Sequence, residues 1–168
     1  EYLAGYDVVT HFYGMGGDDL ISPYEGNSGY QYSEGIYADG GLGDDRVYGT
    51  VFADTLIGGG GFDHLSGQAG NDQLYASPDG GELHGHDGND TAFIPYSISE
   101  FGRFNKMDPT DTTTTAVIYL LSNPSLIYHL VSIENIVFND WSGSFSELSS
   151  TLSIPQTDKL EITIHPYL

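Results

Sequence analysis

Three features of the sequence predict an all-β fold, a right-handed parallel β-roll (β-helix) with an antiparallel β extension or cap at its carboxyl-terminal end. From Gly40 the chain repeats every nine residues through six consecutive blocks. Each block contains one regularly placed apolar residue, and most blocks are rich in glycine. The 168 residues include 24 Asp and Glu but only 4 Lys and Arg, a formal charge of −20. A compact fold with this charge repels itself unless it binds cations.

The six blocks share a pattern of positions. They read GGLGDDRVY, GTVFADTLI, GGGGFDHLS, GQAGNDQLY, ASPDGGELH and GHDGNDTAF. Position 1 is glycine in five blocks, position 6 is aspartate in five, and position 8 is apolar in all six. We expect positive φ angles at the glycines of positions 1, 2 and 4, which allow six residues to form a tight loop. The last three residues form a short strand that directs only position 8 inward.

Single blocks cannot bury their one apolar side chain, so we expect them to stack, with two blocks in each turn of the coil. One sheet then stacks Leu56, Leu74 and Ala92, and the other stacks Val47, Leu65 and Leu83. Stacking also places the position-6 carboxylates roughly 4.8 Å apart, where they repel. Ca²⁺, which prefers 6–8 oxygen ligands, would remove this repulsion better than Mg²⁺, which requires a tighter octahedron.

The blocks resemble the RTX (repeats-in-toxin) haemolysin-type calcium-binding nonapeptide repeat, G-G-x-G-x-D-x-U-x with U apolar. Gly40–Tyr48 and Gly58–Ser66 match every specified position. The family includes the carboxyl-terminal domains of serralysin-type proteases, haemolysins, lipases, adhesins and the R-modules of alginate epimerases. The resemblance implies a β-roll over residues 40–93 that binds about three to six Ca²⁺ ions.

The resemblance also implies ligand sets. In the family each ion lies between two neighbouring loops of one edge. One loop provides the carbonyls of positions 1 and 3 and its aspartate, and the next loop provides the carbonyls of positions 2 and 4 and its aspartate. One site would use Gly40, Leu42 and Asp45 with Gly59, Gly61 and Asp63. A second would use Gly67, Ala69 and Asp72 with His86, Gly88 and Asp90. A third would use Gly49, Val51 and Asp54 with Gln68, Gly70 and Asp72, although Phe52 replaces a glycine there. Asp79, in the fifth block, is expected to face the Asp63 loop and to replace the missing aspartate.

Residues 1–39 contain partial or degenerate repeats with a tyrosine-rich insert. Gly14–Ile21 (GMGGDDLI) continues the phase of the main array at a distance of 27 residues. This phase assigns Asp18 to position 6, as a further metal ligand, and Leu20 to position 8. Ser22–Asp39 is interpreted as a degenerate turn or an inserted loop, and either fits its tyrosines.

Residues 94–168 are predicted to form the β extension or cap, because an uncovered sheet edge invites aggregation. Strands are expected at Ala116–Leu121, Leu126–Ser132, Glu134–Phe138 and Leu160–Ile164, with a loop at Lys106–Thr115. Asn89–Tyr96 and Val131–Asp140 resemble the β-hairpin cassette that closes RTX arrays. Leu160–Leu168 resembles a carboxyl-terminal signal for type I secretion machinery.

Composition excludes several classes of function. Nucleic acid and anionic membranes need clustered Lys and Arg, which the chain lacks. The absence of Cys excludes disulfides, thiolate zinc sites and cysteine nucleophiles. The longest apolar stretches are too short to span a bilayer. No amino-terminal signal peptide is recognised, and we expect the sequence to be part of a larger parent polypeptide.

No H-E-x-x-H, G-x-S-x-G or Walker motif occurs, so we predict that this segment is not an enzyme, although its parent could be one. His84, His86 and Asp87 could suggest a transition-metal pair. By their positions in the repeat, His84 is instead an outward strand residue and His86 offers a loop carbonyl. No imidazole–metal bond is therefore expected. His64 and Glu82, both at position 7, are expected to form a cross-strand polar pair.

The predicted function is a calcium-binding module of a secreted, extracellular bacterial protein, which folds on Ca²⁺ binding outside the cell and stabilises its parent or assists its export. An enzyme fragment is the less favoured alternative, and the main alternative is a Ca²⁺-dependent carbohydrate-binding or adhesion module. It would bind a neutral glycan on the outward position-9 column of Ile57, Tyr75 and Phe93. The simpler interpretation of this column is that another segment covers it, since exposed apolar patches are rare on monomers.

Overall fold

The computed structural model describes residues 10–23, 32–106, 115–144 and 147. These residues form fourteen β-strands and one short 3-10 helix, Ile98–Glu100, which confirms the all-β prediction. The strands build two seven-stranded sheets, named sheet A and sheet B, in which parallel pairs predominate. The architecture is therefore a parallel β-roll. Within the described ranges no helix is long and apolar enough to cross a membrane.

The strands are numbered in chain order, and their spatial order within each sheet is different. Across sheet A lie β1 (His11–Tyr13), β3 (Tyr37–Leu42), β5 (Thr55–Gly60), β7 (Gln73–Tyr75), β9 (Thr91–Phe93), β13 (Asn135–Val137) and β14 (Ser142–Ser144). Across sheet B lie β10 (Phe101–Lys106), β11 (Thr115–Leu120), β12 (Ile127–Val131), β8 (Gly81–His84), β6 (Asp63–Ser66), β4 (Arg46–Tyr48) and β2 (Leu20–Ile21).

Successive strands from β3 to β9 alternate between the two sheets, so two nine-residue repeats make one turn of the coil. From β1 to β7, each strand pairs in parallel with the strand two places later in the sequence. Leu65 lies opposite both Val47 and Leu83 in sheet B. Leu74 lies opposite both Leu56 and Ala92 in sheet A. Both predicted stacks are confirmed.

The core consists of two facing columns of position-8 side chains, because strand alternation directs only that residue inward. The column of sheet A contains Ala38, Leu56, Leu74, Ala92 and Ile136. The column of sheet B contains Ile21, Val47, Leu65, Leu83 and Leu130. Every one of these side chains is buried. Burial of each large apolar side chain contributes about 1.5–3 kcal/mol before the entropy cost of ordering the chain.

The amino-terminal repeat has a different register from the predicted one. His11 lies opposite Tyr37 and Ile21 opposite Val47, an offset of 26 residues in each pair (37 − 11 and 47 − 21) and not 27. Ile21 therefore occupies the buried position 8, and Leu20 is 55% exposed. The assignment of Leu20 to position 8 was wrong because the connecting segment is not a whole number of repeats, and a shift of one residue exchanges the faces of a strand. Tyr24 and Tyr30 lie outside the described residues.

The carboxyl-terminal segment continues both sheets. β12 and β13 add in parallel to β8 and β9, with Leu130 opposite Leu83 and Ile136 opposite Ala92. The predicted extension therefore includes one more turn of the coil, after an insertion that contains β10 and β11. Beyond that turn, antiparallel pairs lengthen sheet B through β11 and β10 and sheet A through β14.

An aromatic cluster joins this extension to the roll. Tyr128 is fully buried, and its hydroxyl donates a hydrogen bond of 2.8 Å to the Ser77 carbonyl. The Phe101 ring lies 6.1 Å from that of Tyr128 and 5.3 Å from that of Phe138, between centroids. Residues 107–114 of the expected loop, the strand expected at 160–164 and the segment 160–168, expected to resemble a secretion signal, lie outside the described residues.

Candidate metal centre

The loops of the roll turn on residues with positive φ at positions 2 and 4 of the repeat. These residues are Gly41, Gly43, Gly59, Gly61, Gln68, Gly70, His86 and Gly88. Gln68 and His86 have φ values of 78° and 71°, a conformation that is uncommon for residues with a side chain. The prediction of positive φ is confirmed for these two positions.

Glycine at position 1 has another cause, and the expectation of positive φ there was wrong. A Cβ atom at Gly49 would lie 2.6 Å from the carbonyl oxygen of Gly67 in the next loop of that edge. A Cβ atom at Gly40 would lie 2.9 Å from the Cβ of Asp45, with the carboxylate nearer still. Position 1 is therefore glycine because the position-6 carboxylate of the same loop fills the space that a side chain would take.

A column of aspartates runs along the edge where the loops enter sheet B. One oxygen of each carboxylate binds the backbone of the preceding loop on that edge. Asp63 Oδ1 accepts a hydrogen bond of 2.9 Å from the Asp45 amide, and Asp45 Oδ1 accepts one of 2.8 Å from the Asp19 amide. Asp19 thus occupies position 6 of the amino-terminal repeat. Asp18 lies one position earlier and is exposed, so its assignment to position 6 was wrong.

A second column runs along the edge where the loops enter sheet A. Asp90 Oδ1 accepts from the Asp72 amide at 2.9 Å, and Asp72 Oδ1 accepts from the Asp54 amide at 2.8 Å. At the far end, the Asp90 amide donates to Glu134 Oε2 at 2.8 Å. Glu134 precedes β13 as the aspartates precede the earlier strands, so it ends this column as a longer substitute for aspartate.

Five of these carboxylates have a second oxygen that is buried and has no hydrogen-bond partner among the described residues. These oxygens are the Oδ2 atoms of Asp19, Asp45, Asp63, Asp72 and Asp90. Burial of an anionic oxygen without a partner is strongly unfavourable. A cation held between adjacent loops would remove this cost, and an all-oxygen environment of carboxylates and carbonyls fits Ca²⁺.

Burial also shifts the protonation of the columns in the absence of a cation. It raises the pKa of Asp63 to about 6 and that of Asp72 to about 7. Burial likewise raises the pKa values of Asp45, Asp54 and Asp90. Neighbouring aspartates add to the shift, since the Asp45 charge raises the pKa of Asp63 and the Asp54 charge that of Asp72. A bound divalent cation reverses this effect by favouring the charged carboxylates.

Asp54 differs from the other members of its column. Its Oδ2 accepts a hydrogen bond of 2.5 Å from the Thr50 amide, and Thr50 Oγ1 lies 3.0 Å from Asp54 Oδ1. Thr50 Oγ1 also accepts from the Phe52 amide at 3.1 Å. A threonine at position 2 therefore satisfies this carboxylate within its own loop.

The fifth block has Gly81 at position 6 and places Asp79 near the neighbouring loop. Asp79 Oδ2 accepts a hydrogen bond of 3.2 Å from the Gly61 amide. The Asp79 amide donates to Ser77 Oγ at 3.0 Å, which fixes the turn. Asp79 thus faces the loop that contains Asp63, and its role as a metal ligand stays a prediction.

The family comparison agrees with this geometry. The family model of the RTX calcium-binding nonapeptide repeat matches the chain in four copies, over residues 37–54 and 48–80. Residues 37–80 therefore match RTX calcium-binding repeats. These repeats indicate a calcium-binding β-roll module. No curated protein matches the chain.

In these RTX repeats the predicted carbonyl ligands lie in adjacent loops of the same edge. Leu42 and Val51 are 70% and 60% exposed, and their side chains contain no ligand atom, so only their backbone carbonyls could bind an ion. The Leu42 carbonyl accepts from the Gly17 amide at 2.6 Å, and the Gln68 carbonyl accepts from the Asp87 amide at 3.0 Å. A carbonyl oxygen has two lone pairs, so each can bind an amide and an ion.

Sequence reasoning missed Asp19, Glu134 and the Thr50 contact. Alignment of the two Gly-Asp-Asp triplets that end at Asp19 and Asp45 would have given the correct RTX register. Glu134 precedes Ile136 with the same spacing that separates Asp90 from Ala92. This signal was concealed because a glutamate replaces the aspartate and the glycines are missing.

The outward position-9 column of the RTX array is aligned by the register of sheet A. Ile57 lies opposite Tyr75, and Tyr75 opposite Phe93. The rings of Tyr75 and Phe93 stack with centroids 4.3 Å apart and planes 5° from parallel. All three side chains are half-buried, and they form one continuous strip across three strands.

Proposed function

We propose that this chain is the calcium-dependent module of a secreted bacterial protein, and that it folds outside the cell as it binds Ca²⁺. Folding there would stabilise the parent polypeptide and assist its export through type I secretion machinery. The observation that carries the proposal is the set of five buried carboxylate oxygens that have no hydrogen-bond partner among the described residues, in a chain with a formal charge of −20. Secretion is further supported by the family, whose repeats are typical of secreted bacterial proteins.

The proposed ions lie between neighbouring loops of one edge. One lies between the Asp45 and Asp63 loops and one between the Asp72 and Asp90 loops, with the carbonyl ligands that the family pattern implies. The corrected register adds a site between the Asp19 and Asp45 loops. Because Thr50 already satisfies Asp54, we expect the site between the Asp54 and Asp72 loops to be weaker. Together these sites remain within the expected range of about three to six ions.

The proposed switch follows from the difference in Ca²⁺ concentration across the cell envelope. Where Ca²⁺ is scarce, repulsion within the two aspartate columns and the burial of their oxygens oppose folding. Extracellular calcium modules bind with Kd values of roughly 10⁻⁴–10⁻³ M. At such concentrations the free energy of binding becomes free energy of folding, because the sites do not exist in the unfolded chain.

Proteolysis at buffered Ca²⁺ concentrations tests this proposal. We expect an unspecific protease to degrade the chain rapidly at about 10⁻⁷ M free Ca²⁺ and to leave a resistant fragment at roughly 10⁻³ M. The same concentration of Mg²⁺ serves as the control and should not protect. Equal resistance at both Ca²⁺ concentrations, or equal protection by Mg²⁺, contradicts a calcium-specific folding switch.

A second candidate function is binding of a neutral glycan in the presence of Ca²⁺. It is favoured by the parallel stack of Tyr75 and Phe93, which continues a flat outward strip of the kind on which sugar rings pack. A glycan array in Ca²⁺ should show binding by the wild type, loss of binding by Tyr75→Ala and retention by Tyr48→Ala, which alters sheet B. The absence of glycan binding by the wild type eliminates this function.

A further inference from the structure

A group of metal-ligating side chains lies on the outer face of sheet B and not in the calcium-binding loops. β6 and β8 pair in parallel, with His64 opposite Glu82 and Ser66 opposite His84. Glu82 and His84 are two residues apart on one strand, so their side chains project to the same face. Since two paired strands fix the backbone of all three ligating residues, their spacing does not depend on a loop.

The distances within this group suit a small cation. His64 Nδ1 lies 3.1 Å from Glu82 Oε2. The ring centroids of His64 and His84 are 4.9 Å apart. One ligand atom from each of the three residues lies within 4.8 Å of the others. Bonds of about 2.0–2.2 Å in a tetrahedral Zn²⁺ site place the ligand atoms roughly 3.3–3.5 Å apart, so small side-chain rotations bring them onto one ion.

The group is accessible from solvent. The side chains of His64 and Glu82 are 29% and 42% exposed. Both line a cleft of about 450 Å³, whereas His84 is half-buried and does not line it. The other lining residues are Asp18, Asp44, Asp45, Arg46, Tyr48 and Phe62. An ion bound here could therefore enter directly from water and keep one coordination position for a water molecule.

The ligand atoms of this group differ from those of the calcium loops. Ca²⁺ takes oxygen ligands, whereas imidazole nitrogens suit Zn²⁺, Cu²⁺ and Ni²⁺. Two imidazoles and one carboxylate, with a fourth position open, form a ligand set found in zinc sites that hold an exchangeable water. The outer face of sheet B and its loops thus select different ions.

We propose that His64, Glu82 and His84 form a zinc-type metal site, separate from the calcium sites, on the outer face of sheet B. The repeat positions had favoured a His64–Glu82 polar pair and a His84 without a metal bond. The 3.1 Å contact confirms the pair. The register of β6 and β8 adds His84 as a third ligand beside it.

Calorimetric titration of Zn²⁺ into the whole chain in millimolar Ca²⁺ tests this site. We expect one Zn²⁺ ion per chain. Loss of a residue that supports a metal ligand weakens metal binding by roughly 10–100-fold. His64→Ala and His84→Ala, which remove ligands themselves, should each weaken Zn²⁺ binding by at least this much. Glu82→Gln keeps the size of the side chain but removes its charge, and it should also weaken binding. His11→Ala, which alters a histidine of β1 in sheet A, is the matched control and should bind as the wild type does.

Circular dichroism of each variant in Ca²⁺, recorded before Zn²⁺ is added, separates loss of the site from loss of the fold. If the wild type shows no β spectrum in Ca²⁺, this result counts against the calcium proposal and not against the zinc site. The zinc proposal is overturned if the folded wild type binds no Zn²⁺ in excess Ca²⁺. It is equally overturned if all three site variants bind Zn²⁺ as tightly as the wild type.

Discussion

At the residue scale, the position-6 aspartate combines two roles through its two oxygens. Oδ1 accepts the amide of the preceding loop, as Asp90 does from Asp72, and this contact sets the spacing of the loops. Except in Asp54, Oδ2 is buried without a partner in the described part of the chain and is therefore the atom that a cation would bind. A change at Asp90 affects both roles, whereas a change at Asp87, an exposed aspartate of the same loop, is expected to affect neither.

Asp90→Asn is expected to raise the Ca²⁺ concentration required for half-maximal folding by about tenfold or more, because a charge-assisted contact contributes roughly 1.5–3 kcal/mol. Asp87→Asn removes the same charge from the same loop, but its side chain is exposed, and the midpoint should change little. A calcium titration followed by circular dichroism measures both. Equal shifts for the two variants would mean that net charge, and not the buried oxygen, governs folding.

The raised aspartate pKa values give a pH dependence with a definite sign. Burial raises the pKa of Asp63 to about 6 and that of Asp72 to about 7, from 3.8 in each case. The stability contributed by a group with a raised folded pKa is fully present below its unfolded pKa and is lost as the pH rises through the folded value. In calcium-free buffer the β signal should therefore increase as the pH falls from about 8 to about 5.

Over the same pH range protons compete with Ca²⁺ for the carboxylates, so the Ca²⁺ midpoint should move to higher concentrations as the pH falls. Circular dichroism in metal-depleted buffer and calcium titrations at several pH values measure the two trends. A midpoint that does not vary between pH 5 and pH 8 contradicts the assignment of raised pKa values to metal-binding carboxylates.

At the scale of the elements, the regular strands could be predicted and the irregular ones could not. Val47, Leu65 and Leu83 lie at a fixed spacing, so their strands and their common sheet follow from the pattern alone. β12 and β13 continue the parallel order of the repeat strands in the two sheets. Only three residues connect them, where the loops of the repeats have six, and none of the three is a glycine. Contacts between distant segments, such as that of Leu130 with Leu83, position them, and no local pattern encodes such contacts.

The register of β2 can be tested by a pair of substitutions in one strand. Ile21 is 8% exposed and continues the apolar column of sheet B, whereas Leu20 is 55% exposed. Ile21→Ala should therefore lower the free energy of unfolding by about 2 kcal/mol, the lower end of the range for buried aliphatic residues, since it lies at the end of the column. Leu20→Ala should change it by less than about 0.5 kcal/mol. Urea unfolding in saturating Ca²⁺ measures both, and the reverse order of effects would restore the register of 27 residues.

At the scale of the whole molecule, the fold and its metal class were predictable from the sequence, but the state of each site was not. The repeat period and the formal charge of −20 already require stacked loops and a cation. The Thr50 contact with Asp54, the position of Asp19 and the approach of His84 to the His64–Glu82 pair depend on side-chain directions and on one-residue shifts. The spacing of the repeats does not contain that information.

Far-UV circular dichroism of the metal-free chain is the most direct test of the proposed dependence of folding on calcium. At neutral pH in EGTA the chain should show the spectrum of an unfolded polypeptide, and an excess of Ca²⁺ should produce a β spectrum that an equal concentration of Mg²⁺ does not. A β spectrum in EGTA that Ca²⁺ leaves unchanged would show that the aspartate columns are stable without an ion, which contradicts the proposal.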